Sequence, residues 1–157
     1  MKKLYIIQSL VLLAGTAFAW FTVVNDILRF IDVEGTFFKI KDCVIPNPVT
    51  TACFYGAFAF LIAFVWSLYI LNKTDLGQQI KQQARLVWLL IASTIFAWTN
   101  FALEAMKFFK PQPGQVRTCS PDAATPWETA CFIGSSIFLI ALVTSLVIKY
   151  KNSKSIQ

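Results

Sequence analysis

The chain has 157 residues, 57% hydrophobic and 14% charged, with a net charge of +6 and no histidine. Soluble domains carry about a quarter charged residues, so an ordinary soluble globule is excluded, and the missing histidine removes the commonest general base, metal ligand and haem ligand. The basic excess forms no stripe interleaved with aromatics, which excludes nucleic-acid binding.

In chain order, Met1-Lys2-Lys3 leads into the first of four stretches without Asp, Glu, Lys or Arg: residues 4–24, 52–71, 86–103 and 130–148. Each approaches the ~20 residues a helix needs to cross the hydrocarbon core. None alternates with period two, which selects helices over a barrel. Ala17-Phe18-Ala19 has the form of a signal-peptide cleavage site. Because Phe-Ala-Trp recurs at 96–98, inside the third stretch, residues 4–24 are read as a retained helix. Trp20, Trp98 and Trp127 fall near the outer boundary, Trp66 and Trp88 nearer the inner one, as interfacial belts do.

The first outer loop, 25–51, starts with Asp26-x-x-Arg29 and carries Cys43 and the stiff run Pro46-Asn47-Pro48. The second span opens with Ala52-x-x-x-Gly56, with Cys53 inside the motif. A polar linker, 73–84, holds Gln78, Gln79, Gln82 and Gln83 and extends the third helix into water on the inner side. The second outer loop, 104–129, starts with Glu104-x-x-Lys107 and carries Pro111, Pro113 and Cys119. The fourth span opens with Ala130-x-x-x-Gly134 around Cys131, and residues 150–157 form a tail.

A constant offset of 78 residues links these elements. Thr51-Ala52-Cys53-Phe54-Tyr55-Gly56 returns as Thr129-Ala130-Cys131-Phe132-Ile133-Gly134, and Phe60-Leu61-Ile62-Ala63 as Phe138-Leu139-Ile140-Ala141. Phe18, Ala19 and Trp20 map onto Phe96, Ala97 and Trp98, and Asp26 and Arg29 onto Glu104 and Lys107. The expected architecture is an all-α membrane protein, a four-helix bundle made by parallel tandem duplication of a helical hairpin, residues 1–72 and 85–149. Lysines and arginines collect on one side: the N-terminus, the central linker with Arg85, and the tail with Lys149 sum to +7, whereas the outer loops sum to −1 and 0. That asymmetry places both termini in the cytoplasm of a multi-pass protein of a bacterial-type cytoplasmic membrane.

Small residues permit close helix approach in lipid. The pairs Ala52/Gly56 and Ala130/Gly134 are therefore expected to face each other across the axis relating the halves, with packing against their own hairpin partners or another subunit as alternatives. The pairs Asp26/Arg29 and Glu104/Lys107 read as solvated helix ends, or, in a sharper reading, as an outer vestibule for a ligand. Gln8, Thr22, Thr99 and Asn100 are the main polar groups in the spans; interhelical hydrogen bonds are the expectation, and a ligand-orienting role for Asn100 the alternative.

All four cysteines lie in or beside the outer loops, in an oxidising compartment where disulfides form. Spacing favours Cys43–Cys53 and Cys119–Cys131, with a Cys53–Cys131 bridge as the alternative. No metal site is expected, because the cysteines lack close C-x2-C spacing.

Four spans with a cysteine pair in each outer loop resemble the quinone-linked membrane thiol oxidoreductases, the bacterial disulfide-bond-forming membrane proteins and the vitamin K epoxide reductase family. The resemblance covers span count, sidedness and cysteine placement. Those families use a C-x-x-C pair, whereas here the nearest spacings are Cys43-x9-Cys53 and Cys119-x11-Cys131. The resemblance implies a quinone cofactor, with Cys53 or Cys131 as the quinone-proximal thiol and Cys43 or Cys119 as its partner.

Three functions follow. The first is a non-enzymatic accessory subunit, needing no cofactor, that contacts membrane lipids and a protein partner in the membrane or at its outer face. The second is a divergent quinone-linked thiol–disulfide oxidoreductase. The third is a binder or carrier of a lipid or quinone between the two halves.

Overall fold

The computed structural model describes residues 2–39, 45–109 and 123–154. It consists of four helices, α1 (Lys2–Glu34), α2 (Ala52–Leu71), α3 (Leu76–Phe109) and α4 (Ala130–Lys154), and all four are long and apolar enough to cross a membrane. At 1.5 Å per residue, α2 spans about 30 Å and α1 and α3 about 50 Å, so the odd helices extend well past the hydrocarbon core.

Helix ends follow from local chemistry. Gly35 stops α1: it takes φ 70° and its N–H donates to Ile31 O at 2.8 Å, a left-handed cap that costs glycine little. Both returning helices are entered through a proline-led 3-10 turn, Pro48–Thr50 before α2 and Pro126–Glu128 before α4. The turns close alike. Thr51 Oγ1 donates to Pro48 O at 2.7 Å, and Thr129 Oγ1 to Pro126 O at 2.6 Å. Asn47 anchors the first turn, donating to Phe37 O and Lys39 O and accepting from Val49 N.

The boundaries differ from those read in the sequence. α1 continues ten residues past Val24, through Glu34, and α3 runs on to Phe109, so the first part of each expected outer loop is helix. The expected linker 73–84 is helical from Leu76 onward, and only Asn72–Asp75 turns the chain. Helix continues because no proline interrupts these segments, and 76–84 is rich in glutamine, a good helix former.

In cross-section α2 and α4 lie at the centre. α1 packs against both, α3 packs against both, and the backbones of α1 and α3 stay apart. The central seam uses positions 53, 56, 60, 63, 67 and 70 of α2 and 131, 134, 138, 141, 145 and 148 of α4. This alternating 3–4 spacing is the coiled-coil period. Along it Phe60 and Phe138 stack face to face, ring centroids 3.6 Å apart and 11° between planes. Ala63, Ile70, Ala141 and Ile148 are fully buried around them.

The inner end of the bundle is polar inside. Gln83 Nε2 donates to Gln8 Oε1 at 3.0 Å and to Ser145 Oγ at 2.8 Å, joining α3, α1 and α4. Ser67 donates to Ser9 at 3.1 Å, and Asn152 Nδ2 to Tyr5 Oη at 2.8 Å. Gln83 is 1% exposed, so this residue of the expected solvated linker belongs to the core, and buried Asn152 belongs to the bundle rather than to a free tail.

Candidate functional site

The outer half of the central seam is not filled. Above the Phe60/Phe138 stack lies a cavity of about 60 Å³ with mostly apolar walls drawn from all four helices. Its lining contains Phe18/Phe96, Ala19/Ala97, Thr22/Asn100, Ala52/Ala130, Cys53/Cys131, Gly56/Gly134 and Phe60/Phe138, together with Ser135. Every one of those pairs is separated by 78 residues.

The glycines create this space. A Cβ added to Gly56 or Gly134 would meet no atom within 4 Å. Ala52, Gly56, Ala130 and Gly134 all line the cavity, so the small-residue motifs border a gap at this level. α2 and α4 are held apart one level below by the two phenylalanine rings. Gly15 of α1 serves those rings: a Cβ there would stand 2.4 Å from Phe60 Cε1.

Cys53 and Cys131 face each other inside the cavity with their sulfurs 3.8 Å apart. A disulfide needs about 2.05 Å, so the alternative bridge between these two is not formed. Cys43 and Cys119 lie outside the described residues.

The polar lining is sparse. Thr22 Oγ1 donates to Phe18 O at 3.0 Å, and Asn100 Nδ2 to Phe96 O at 2.8 Å. Both bonds stay within their own helix, so the expectation of interhelical bonding fails for these two and holds for Gln8. A side chain near its own i−4 carbonyl reaches that acceptor without crossing to a neighbour.

One turn above Thr22 and Asn100 stand Asp26 and Glu104. Glu104 accepts from Lys107 Nζ at 2.6 Å and is 8% exposed, which sets it inside the bundle rather than at a solvated end. Asp26 is half-buried, with Arg29 one turn further along α1. Two aromatic groups flank this level, Trp20 with Phe58 and Phe54, and Trp98 with Phe101, Phe132 and Trp127. Among the described residues, no three potential metal-ligating side chains come together.

Four apolar helices enclosing an apolar chamber define a small multi-pass membrane bundle with an internal cleft. The chain matches no protein-family model, no curated protein and no solved structure.

Proposed function

We propose that this protein is a non-enzymatic membrane protein that binds the apolar part of a membrane-soluble molecule between its two halves. One observation carries the reading: the cavity over the Phe60/Phe138 stack, walled by matching residues of both halves. Ligand sites in helical bundles are concave, apolar and built from facing helices, with a few polar groups to orient the guest. The exposed apolar residues, among them Leu10, Val65, Trp88 and Ile140, are distributed over all four helices. Lipid contact demands that of any bundle, so an accessory role beside a protein partner rests on the outer end and the molecule held there.

In this reading the chain arose by parallel duplication of a hairpin, and both termini face the cytoplasm. Support comes from the cavity's pairs at the 78-residue offset and from the basic excess on the terminal side. Stapling of the second outer loop by Cys119–Cys131 also belongs to it, supported by the engagement of Cys131 in a disulfide; Cys53 is a thiol in the structure, so the expected Cys43–Cys53 bridge is not formed. The test is extraction and mass spectrometry of whatever co-purifies with the protein in mild detergent. Gly56→Leu combined with Gly134→Leu fills the cavity and should strip that molecule while helicity is retained; equal retention by wild type and variant would sink the proposal.

A second reading, thiol–disulfide chemistry linked to a quinone, is favoured by the 3.8 Å approach of Cys53 and Cys131 within the cavity. Redox titration with thiol alkylation separates the two. Cysteine pairs that stay oxidised below about −300 mV are structural, whereas a pair titrating near −200 mV or so is catalytic.

A further inference from the structure

At its inner end α3 turns Gln83, Leu86, Val87 and Leu90 into the bundle, all of them buried. The opposite side is a stripe of exposed residues at alternating 3–4 spacing: Lys81, Arg85, Trp88, Ala92 and Ile95. Trp88 is 68% exposed, and from Trp88 onward the stripe lies within the uncharged run 86–103, so it faces lipid. The counterpart stripe on α1, 78 residues earlier, reads Lys3, Ile7, Leu10, Ala14 and Ala17, and all five are exposed. The two helices part in chemistry at two positions. A guanidinium at 85 stands where α1 has Ile7, and an indole at 88 stands where α1 has Leu10.

Arg85 is the last charge before the hydrocarbon, one turn from Lys81 on the same face. Like charges at that spacing repel. No Asp or Glu lies between Leu76 and Leu103, and among the described residues neither cation forms an ion pair. A guanidinium at the edge of the hydrocarbon reaches outward for polar partners, and here the chain supplies no anionic one.

A phospholipid supplies the anion at that level. Guanidinium grips phosphate through two parallel N–H bonds, and the ammonium one turn further out adds a point charge. An indole one turn further in suits the glycerol and carbonyl layer. Ala92 is small and leaves room beside Trp88 for an acyl chain. Two cations favour a lipid of net negative charge over a zwitterionic one, whose own ammonium already answers its phosphate.

We propose that Lys81, Arg85 and Trp88 form a binding site for the headgroup of an anionic phospholipid, in the leaflet on the side of the chain termini. The site lies on the outside of the bundle, goes beyond the binding function proposed above and does not depend on it.

The test is native mass spectrometry of the full chain, released from micelles holding equal amounts of phosphatidylglycerol and phosphatidylcholine. Wild type should retain phosphatidylglycerol in preference. Arg85→Ile, which copies Ile7 of α1, should lower that preference about fivefold, the worth of one basic residue at an anionic surface. Arg85→Lys keeps the charge and should keep most of the preference, which guards against misfolding of the isoleucine variant. Lys2→Gln with Lys3→Gln removes two cations from the same side of the membrane and should change the preference less than about twofold. Equal retention of both lipids by wild type overturns the proposal. So does an equal loss in the Lys2/Lys3 variant, which would reduce the effect to diffuse charge. A co-purifying polypeptide released by Arg85→Ile, with lipid retention unchanged, would assign the stripe to a protein instead.

Discussion

At the outer end of the α2–α4 seam the facing pairs are Cys53/Cys131 and Gly56/Gly134, and a cavity lies between them. At the inner end the corresponding positions hold Ala63/Ala141, Ser67/Ser145 and Ile70/Ile148, all buried. The two ends share the same helices and the same spacing. They differ in side-chain volume and in where polar groups find partners. Inside, Gln8, Gln83 and Ser145 bond one another across three helices; outside, Thr22 and Asn100 bond their own helices and leave the chamber apolar. The inner end therefore contributes cohesion, and the outer end contributes room. The phenylalanine stack divides them.

Three experiments sharpen that contrast. The largest effect is expected at the divide: Gly15→Ala drives a methyl into Phe60, and overpacking of this kind costs about 1–3 kcal/mol. Reversible unfolding in mixed micelles should show the loss, and an unperturbed midpoint would mean that the ring yields freely. Next comes the inner network. A double-mutant cycle of Gln8→Ala and Gln83→Ala should give a coupling of about 0.6 kcal/mol, the average for interhelical hydrogen bonds in membranes, and at most about 1.7 kcal/mol. Coupling near zero would remove the inner end's claim to cohesion. The smallest effect has the opposite sign. Gly56→Ala and Gly134→Ala place a methyl in open space, so each should stabilise by about 0.5–1 kcal/mol through helix propensity. The same changes should reduce retention of the bound molecule, and a loss of stability instead would mean that those glycines make contacts.

Much of the fold was legible in the sequence. Four uncharged stretches marked the spans, and the constant offset alone pairs Phe60 with Phe138 and Cys53 with Cys131. The alternating 3–4 spacing of the seam was present too, and would have placed α2 against α4. Gln83 was misassigned for a physical reason. A glutamine beside three others reads as solvated, and only the arrival of Gln8 and Ser145 from distant helices gives it partners. Ala52/Gly56 and Ala130/Gly134 misled in the other direction. Small residues permit close approach but do not compel it, and Phe60 and Phe138 sit on the same face one turn away.

The sequence alone determined how many helices there are, where charge keeps them from the hydrocarbon, and which residues correspond at an offset of 78. Those are local properties, set by hydropathy, period and composition along one segment at a time. Tertiary structure decided that matched glycines enclose a cavity, that matched rings stack beneath it, and that Gln8, Gln83 and Ser145 meet at the inner end. Empty space and bonds between helices belong to no single segment; they exist only after four helices have met.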